Sequence, residues 1–202
     1  MASSRFLFAF VLLLCLGGMA AAQPVKTMRV RGVVTAVDDS MVSVKSRDGA
    51  ALKIALDKDW GVLAVSKIAI SAIKPGSFVG VAALPQAGGE PRALEVLVFP
   101  EAARGSNEGH YPWDLMPEST MTNATVAAVV EGNSGRELSL TYKGGTQKIL
   151  VPADVPIVTF APDERSLLVP GAAIFCGATV GADGGLSLKR VLVGKNGTVP
   201  PM

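Results

Sequence analysis

The chain repeats itself. Set against itself at an offset of 95 residues, Asp59 meets Asp154, Ser71 meets Ser166, Pro75-Gly76 meets Pro170-Gly171, and Val96-Leu97-Val98 meets Val191-Leu192-Val193. Nearer the start the offset drifts to 92, where 32–37 resembles 124–129, and a longer turn at 131–136 in the second copy accounts for the difference. Self-similarity at a fixed spacing means that one supersecondary unit is used twice, so the chain must fold as two related halves. The units run over residues 23–100 and 123–202, joined by a linker at 101–122.

Each unit reads as strands. A β-rich segment opens it (28–37; 125–130), a turn follows, and a second strand alternates polar and apolar residues (41–45; 138–142). Arg47-Asp48-Gly49 and Lys143-Gly144-Gly145 are hairpin turns into a third strand (51–56; 147–151). A longer connection ends in Ser71 to Gly76, or Ser166 to Gly171, and reads as a short helical turn capped by Ser and stopped by Pro-Gly. Gly88-Gly89 and Gly184-Gly185 then separate strands four (78–84; 173–180) and five (92–99; 186–193). Three strands, a short helical connection and two more strands is the order of an OB barrel. The expected fold is all-β: two tandem OB-fold-like small barrels joined by a Pro/Gly/aromatic linker, with six-stranded small barrels as the alternative.

The first residues read as an address. Arg5 is the only charge before Lys26, 6–16 is an unbroken apolar run, and Ala20-Ala21-Ala22 follows. That is the order of a cleaved secretory signal peptide over 1–22. Cys15 lies inside the apolar run, which argues against lipid attachment. Cleavage leaves Cys176 alone, so no internal disulfide can form. An exported small domain without disulfides points to a bacterial periplasm. The two Asn-x-Thr sequons at Asn123 and Asn196 then read as chance. No second long apolar segment exists, so the mature chain is not expected to be integral to the membrane.

A formal charge of +2 and 18% charged residues advertise no basic field, so nucleic acid is not an expected partner. The linker carries Glu101, Glu108, Asp114 and Glu118 against Arg104, while basic residues exceed acids by three in the first unit. Together with Tyr111 and Trp113, that balance predicts an ordered clasp lying against the first unit.

The tandem units, the stretch Pro75-Gly76-Ser77-Phe78-Val79-Gly80-Val81, and Glu108-Gly109-His110-x-Pro112-Trp113-Asp114-Leu115 resemble a family of bacterial exported proteins with OB-like domains. So do 119–126 and the Gly-x-Val-Pro-Pro end at 197–201. The resemblance implies the fold and the exported location, and it brings no catalytic residues to carry over. Relatives are sometimes labelled metal-transporter permeases. A permease needs several spans, and this chain has one apolar segment.

No catalytic constellation stands out. His110 is the only histidine, and no Gly-x-Ser-x-Gly elbow surrounds any serine. Asp57 with Asp59, and Asp163 with Glu164, sit at turns where solvated acids are ordinary. Glu108, His110 and Asp114 could supply one imidazole and two carboxylates to a metal, short of the four ligands of a closed zinc site. Cys176, aligned with Val81, reads as a small buried apolar group. Trp60, Tyr111 and Trp113 are the candidate stacking surfaces for a ligand or partner, against the plainer reading of inter-domain packing. The expected function is non-enzymatic and cofactor-free: a periplasmic binding or envelope accessory protein for a small ligand or an envelope protein. A metal-handling protein using Glu108, His110 and Asp114 is the alternative.

Overall fold

The computed structural model describes residues 25–132 and 135–202; the expected signal peptide, 1–22, and Cys15 lie outside them. The described residues form twelve strands: β1 (Thr27–Val37), β2 (Met41–Ser46), β3 (Ala51–Lys67), β4 (Phe78–Gln86), β5 (Gly89–Val98), β6 (Gly109–Pro112), β7 (Thr120–Gly132), β8 (Gly135–Tyr142), β9 (Gly145–Pro152), β10 (Ile157–Asp163), β11 (Ala173–Val180) and β12 (Leu186–Gly194). The fold is all-β and built of small closed barrels, as the strand pattern requires. Among the described residues no helix is long and apolar enough to cross a membrane.

The barrels do not follow the repeats. β1, β2 and β3 close with β11 and β12, through a β12–β3 parallel pairing that runs from Leu186↔Ile54 to Gly194↔Val65. We call this barrel 1. β7, β8 and β9 associate with β4 and β5, and this second barrel closes through the parallel pair Arg92↔Leu150. In both, the cyclic order is that of an OB barrel, first-second-third-fifth-fourth, with the third and fifth strands parallel. Each barrel therefore takes three strands from one unit and two from the other. Residues 23–100 and 123–202 are repeats of sequence, but neither contains a barrel of its own.

The cores record the exchange. Val30, Val34, Val44 and Ile54 pack with Ile174, Cys176, Leu188 and Val193 in barrel 1, while Val79, Val81 and Val96 pack with Val126, Leu138, Leu140 and Ile149 in barrel 2. Equivalent backbone bonds cross between units: the Gly171 N–H donates to Val34 O and the Gly76 N–H to Val126 O, each at 2.8 Å. Both glycines follow a proline and sit at φ near +90° (88° and 89°), where a side chain would be strained, so Pro-Gly is the shared joint of the crossing.

What drives the crossing is β3. The third strand was expected to stop near residue 56, with a connection beyond it. It runs on to Lys67 because Val62, Ala64 and Val65 are all buried, and an unbroken apolar run suits a strand covered on both faces. In the second unit the same stretch is split into β9 and β10. β3 and β10 pair antiparallel, and residues 95 apart, Val65 and Phe160, face each other directly. That self-pairing lies on a pseudo-two-fold axis relating the two halves, as in a symmetric dimer interface.

The predicted helical connections are three-residue 3-10 turns, Ile70–Ala72 and Arg165–Leu167. Ser71 and Ser166 lie inside them and cap neither; the Ser166 hydroxyl donates to Glu164 Oε2 at 3.0 Å. Cys176 is buried in the barrel 1 core, and burial pushes its thiol up to about 12. A thiol-specific reagent at neutral pH is expected to label Cys176 only as fast as the protein unfolds globally. Rapid labelling of the native protein would place the thiol outside the core.

Candidate ligand cleft between the barrels

Around the two-fold axis the outer faces of the barrels meet. Pairing runs continuously through β1-β11-β12-β3-β10-β5-β4-β7-β6. Along each strand, alternate residues fill a barrel; the others face a cleft between the barrels. Val65, Leu97, Val158 and Met202 form a separate core there, with Phe99, Phe160, Phe175 and Leu192 packed on it. Phe99 meets Phe78 at 5.2 Å and Phe160 edge-on at 5.9 Å between ring centroids. A cavity of about 240 Å³ remains, walled by Phe99, Phe160 and Phe175 and by Met121, Tyr111 and Trp113, with Ser106, Asn107 and Asn123 also on its lining. Gly80 makes room for it: a Cβ there would come within 2.6 Å of Asn123 Oδ1 and 3.1 Å of the Phe99 ring.

The linker roofs the cleft. β6 pairs with β7, placing Tyr111 beside Met121, and Asn123 Nδ2 donates to Tyr111 Oη and Ser106 O at 3.1 Å each. Trp113 meets Tyr111 edge-on at 6.1 Å and crosses to the opposite wall, where the Arg29 guanidinium lies 3.9 Å from its ring centre. Asp114 then pairs with Arg31 at 2.8 Å and Arg29 at 3.6 Å, and Arg47 donates to Leu115 O at 3.1 Å. Burial alone would raise the Asp114 carboxyl, but the Arg31 hydrogen bond and the two guanidinium charges hold it below the usual range. The acidic linker thus lies on the basic face of the first unit, as its charge balance predicts. Arg31 also donates from Nε to Met202 O and spans Phe175 at 5.2 Å.

Two buried groups on this side of the sheet have no partner. Glu95 shares a register row with Ala82, Met121 and Tyr111 and shares the cleft-facing side of β5 with Leu97. It is 1% exposed, and neither carboxyl oxygen has a hydrogen bond. Desolvation pushes it up to about 8, against the pull of the Arg31 charge, so it holds its proton at neutral pH. The Trp113 indole Nε1 is also buried and unpaired. Buried polar groups in folded proteins are nearly always satisfied, so both orphans stand out; Trp113 lines the cavity, and Glu95 does not.

The predicted site residues are divided. Tyr111 and Trp113 both line the cleft. Trp60 does not: it packs on the barrel 1 core, with Arg165 stacked 4.6 Å from its ring centre and donating to its carbonyl at 2.6 and 3.0 Å. Glu108 Oε1 accepts from the Lys143 N–H at 2.9 Å. His110 turns the other way from Tyr111, its Nδ1 2.9 Å from Thr122 Oγ1 and its ring stacked on Tyr142. Asp114 is held by the arginines. Among the described residues no three His, Cys, Asp or Glu side chains are grouped to hold a metal ion, so Glu108, His110 and Asp114 do not form the site their spacing suggested.

Sequence reasoning missed Glu95, Arg29 and Arg31. One signal was present: Glu95 is a single acid inside the apolar run 93–98, where a solvated strand face would not place it. No protein-family model, no curated protein and no solved structure matches the chain.

Proposed function

We propose that the protein is a non-enzymatic binding or accessory protein of the bacterial envelope, and that it takes its ligand in the cleft between the barrels. The observation that carries this reading is the cavity itself: mostly apolar walls, linker residues Tyr111 and Trp113 among them, and the buried, unpaired Trp113 indole N–H on its lining. Ligand sites are concave and mostly apolar, with a few placed polar groups that fix orientation. Export by a cleaved segment over 1–22 belongs to the same reading.

The chain has two tryptophans, so Trp60→Phe leaves Trp113 as the sole indole reporter. Protein taken natively from its own cells is expected to carry a small molecule visible by native mass spectrometry. Unfolding and refolding should remove that mass and shift Trp113 emission, and the released fraction should restore it. Native protein with no added mass, and emission indifferent to unfolding and refolding, would overturn the proposal.

A further inference from the structure

We propose that the first half of β1 is a docking edge, on which an extended segment of a partner protein adds to barrel 1 as an antiparallel strand, in the place that β6 takes in barrel 2. The groove beside this edge shares no lining residue with the cleft cavity, so the proposal does not depend on the cleft holding a ligand.

The two barrels treat equivalent edges differently. Val34 and Val126 accept the equivalent bonds from Gly171 and Gly76, and this spacing of 92 sets residues 28–31 of β1 on 120–123 of β7. In barrel 2 that stretch is paired on both edges, with β4 on one side and β6 on the other, Met121 facing Tyr111 and Asn123 facing Gly109. In barrel 1 it pairs with β11 on one edge. On the other edge β2 reaches only to Gly32↔Ser46, and the Arg47 N–H then closes on Arg31 O at 2.8 Å. Among the described residues no strand pairs with the remainder.

The backbone there is turned outward. Lys26 O accepts from the Val180 N–H, and Val34 exchanges bonds with Gly171 and Ala172, so even-numbered residues point to β11. Thr27 and Arg29 therefore aim N–H and C=O the opposite way. Both are exposed. They border a groove of about 410 Å³ between β1 and the turn at 47–50, with Met28 and Leu52 on its lining.

An open strand edge is a template for another chain: main-chain bonds supply affinity, and alternate side chains supply specificity. A second copy is a poor occupant, because pairing this edge with itself would bring two sets of Arg29 and Arg31 together, and like charges across strands destabilise. A carboxylate opposite Arg29 is favoured, since that side chain is still 37% exposed beside Asp114. The neighbouring residues of the added strand face the other way, over Met28 and Leu52, which pack on the barrel 1 core. The partner segment thus alternates acidic and apolar residues.

Hydrogen exchange and peptide titration, followed by NMR on isotope-labelled full chain, test this. The Thr27 and Arg29 amides should exchange fast in the free protein and become protected by acetyl-Val-Glu-Val-Glu-Val-amide at about millimolar concentration. N-methylation of the two Glu amides, which face β1, should weaken binding at least tenfold, the worth of one or two hydrogen bonds. N-methylation of the Val amides, which face away, should leave it within about twofold of the parent. The peptide with Lys for Glu should bind severalfold more weakly. Thr27→Pro removes an outward N–H and spares the β11 ladder, so it should weaken the peptide severalfold, while Thr27→Val should not; thermal melts confirm folding. Amides already protected in the free protein, or left unprotected by the peptide, would overturn the proposal. So would equal effects of the two methylation patterns, which would mean binding through side chains alone. Lys and Glu peptides binding alike would overturn the acidic assignment. A dimer that Thr27→Pro abolishes would give the edge to a second copy and overturn the partner.

Discussion

Neither half of the chain is expected to fold alone. A fragment of residues 25–100 holds β1, β2 and β3 without the β11 and β12 that close barrel 1, and β4 and β5 without the β7, β8 and β9 of barrel 2. Its apolar strand faces have no core to enter: Val30, Val44 and Ile54 need Ile174, Cys176 and Leu188, while Val79 and Val96 need Leu138 and Ile149. Fully burying one such side chain is worth about 1.5–3 kcal/mol, so losing half of each barrel exceeds the 5–15 kcal/mol total of a typical domain. The isolated monomeric fragment should show an unfolded circular dichroism spectrum and no cooperative melt. Mixing it with residues 101–202 should restore a β spectrum at one-to-one stoichiometry. Protein cut in the linker after folding should stay together in gel filtration and separate only in denaturant. A folded, monomeric 25–100 fragment with its own cooperative transition would contradict the strand exchange.

Stability is expected to fall as pH rises from about 4.5 to about 8, and then to level off. The unfolded chain releases the Glu95 proton near 4.5, whereas the folded protein keeps it up to about 8. Between those values the unfolded state gains by ionising while the folded state does not. The Glu95 contribution is therefore complete at low pH and lost as pH climbs through that window. At about 1.4 kcal/mol for each pH unit between the two values, the loss amounts to ~4–5 kcal/mol. Asp38, Asp48, Glu101 and Asp163 act in the opposite sense at the acid end. Hydrogen bonds from Ser40, Ser46, Arg104 and Lys195 hold them below the usual range, so their contribution disappears as pH falls through their folded values. Glu95→Gln should abolish the fall between 4.5 and 8 and leave the acid limb intact. Denaturant melts of both proteins across pH 4 to 9 measure this, and parallel curves would remove Glu95 as the cause.

Much of the fold was legible because turn chemistry is local. Gly49, Gly144, Gly88 and Gly184 all take positive φ at the expected hairpins, and Pro75-Gly76 and Pro170-Gly171 mark equivalent joints. What local chemistry cannot carry is the identity of a partner. β4–β5 and β11–β12 are copies with similar inward faces, so alternation says that each pair completes a barrel without saying which one. The decision lies in Trp60 to Val65, where alternation gives way to a continuous apolar run that extends β3 to the axis. The site was half legible for a related reason. Tyr111 and Trp113 stood out as large aromatics in a linker. The short strand β6, however, sends His110 and Tyr111 to opposite faces, which disperses the carboxylate–imidazole group that spacing alone had brought together.

The exchange also dictates when the protein can fold during its own synthesis. All five strands of barrel 2 have been synthesised once Pro152 is made, but barrel 1 waits for Gly194 at the end of β12. At about 5–20 residues per second, the first three strands spend many seconds with their apolar faces unsatisfied. A chain built this way cannot bury its amino-terminal third early, whatever its intrinsic stability. That third stays unpaired until the last strand arrives, and any machinery that needs it extended has that whole interval in which to act. The cost is exposure of β1 to β3 to chaperones, proteases and neighbouring chains over the same period, so quality control would act on the amino-terminal strands before any lesion near the carboxyl end could be sensed.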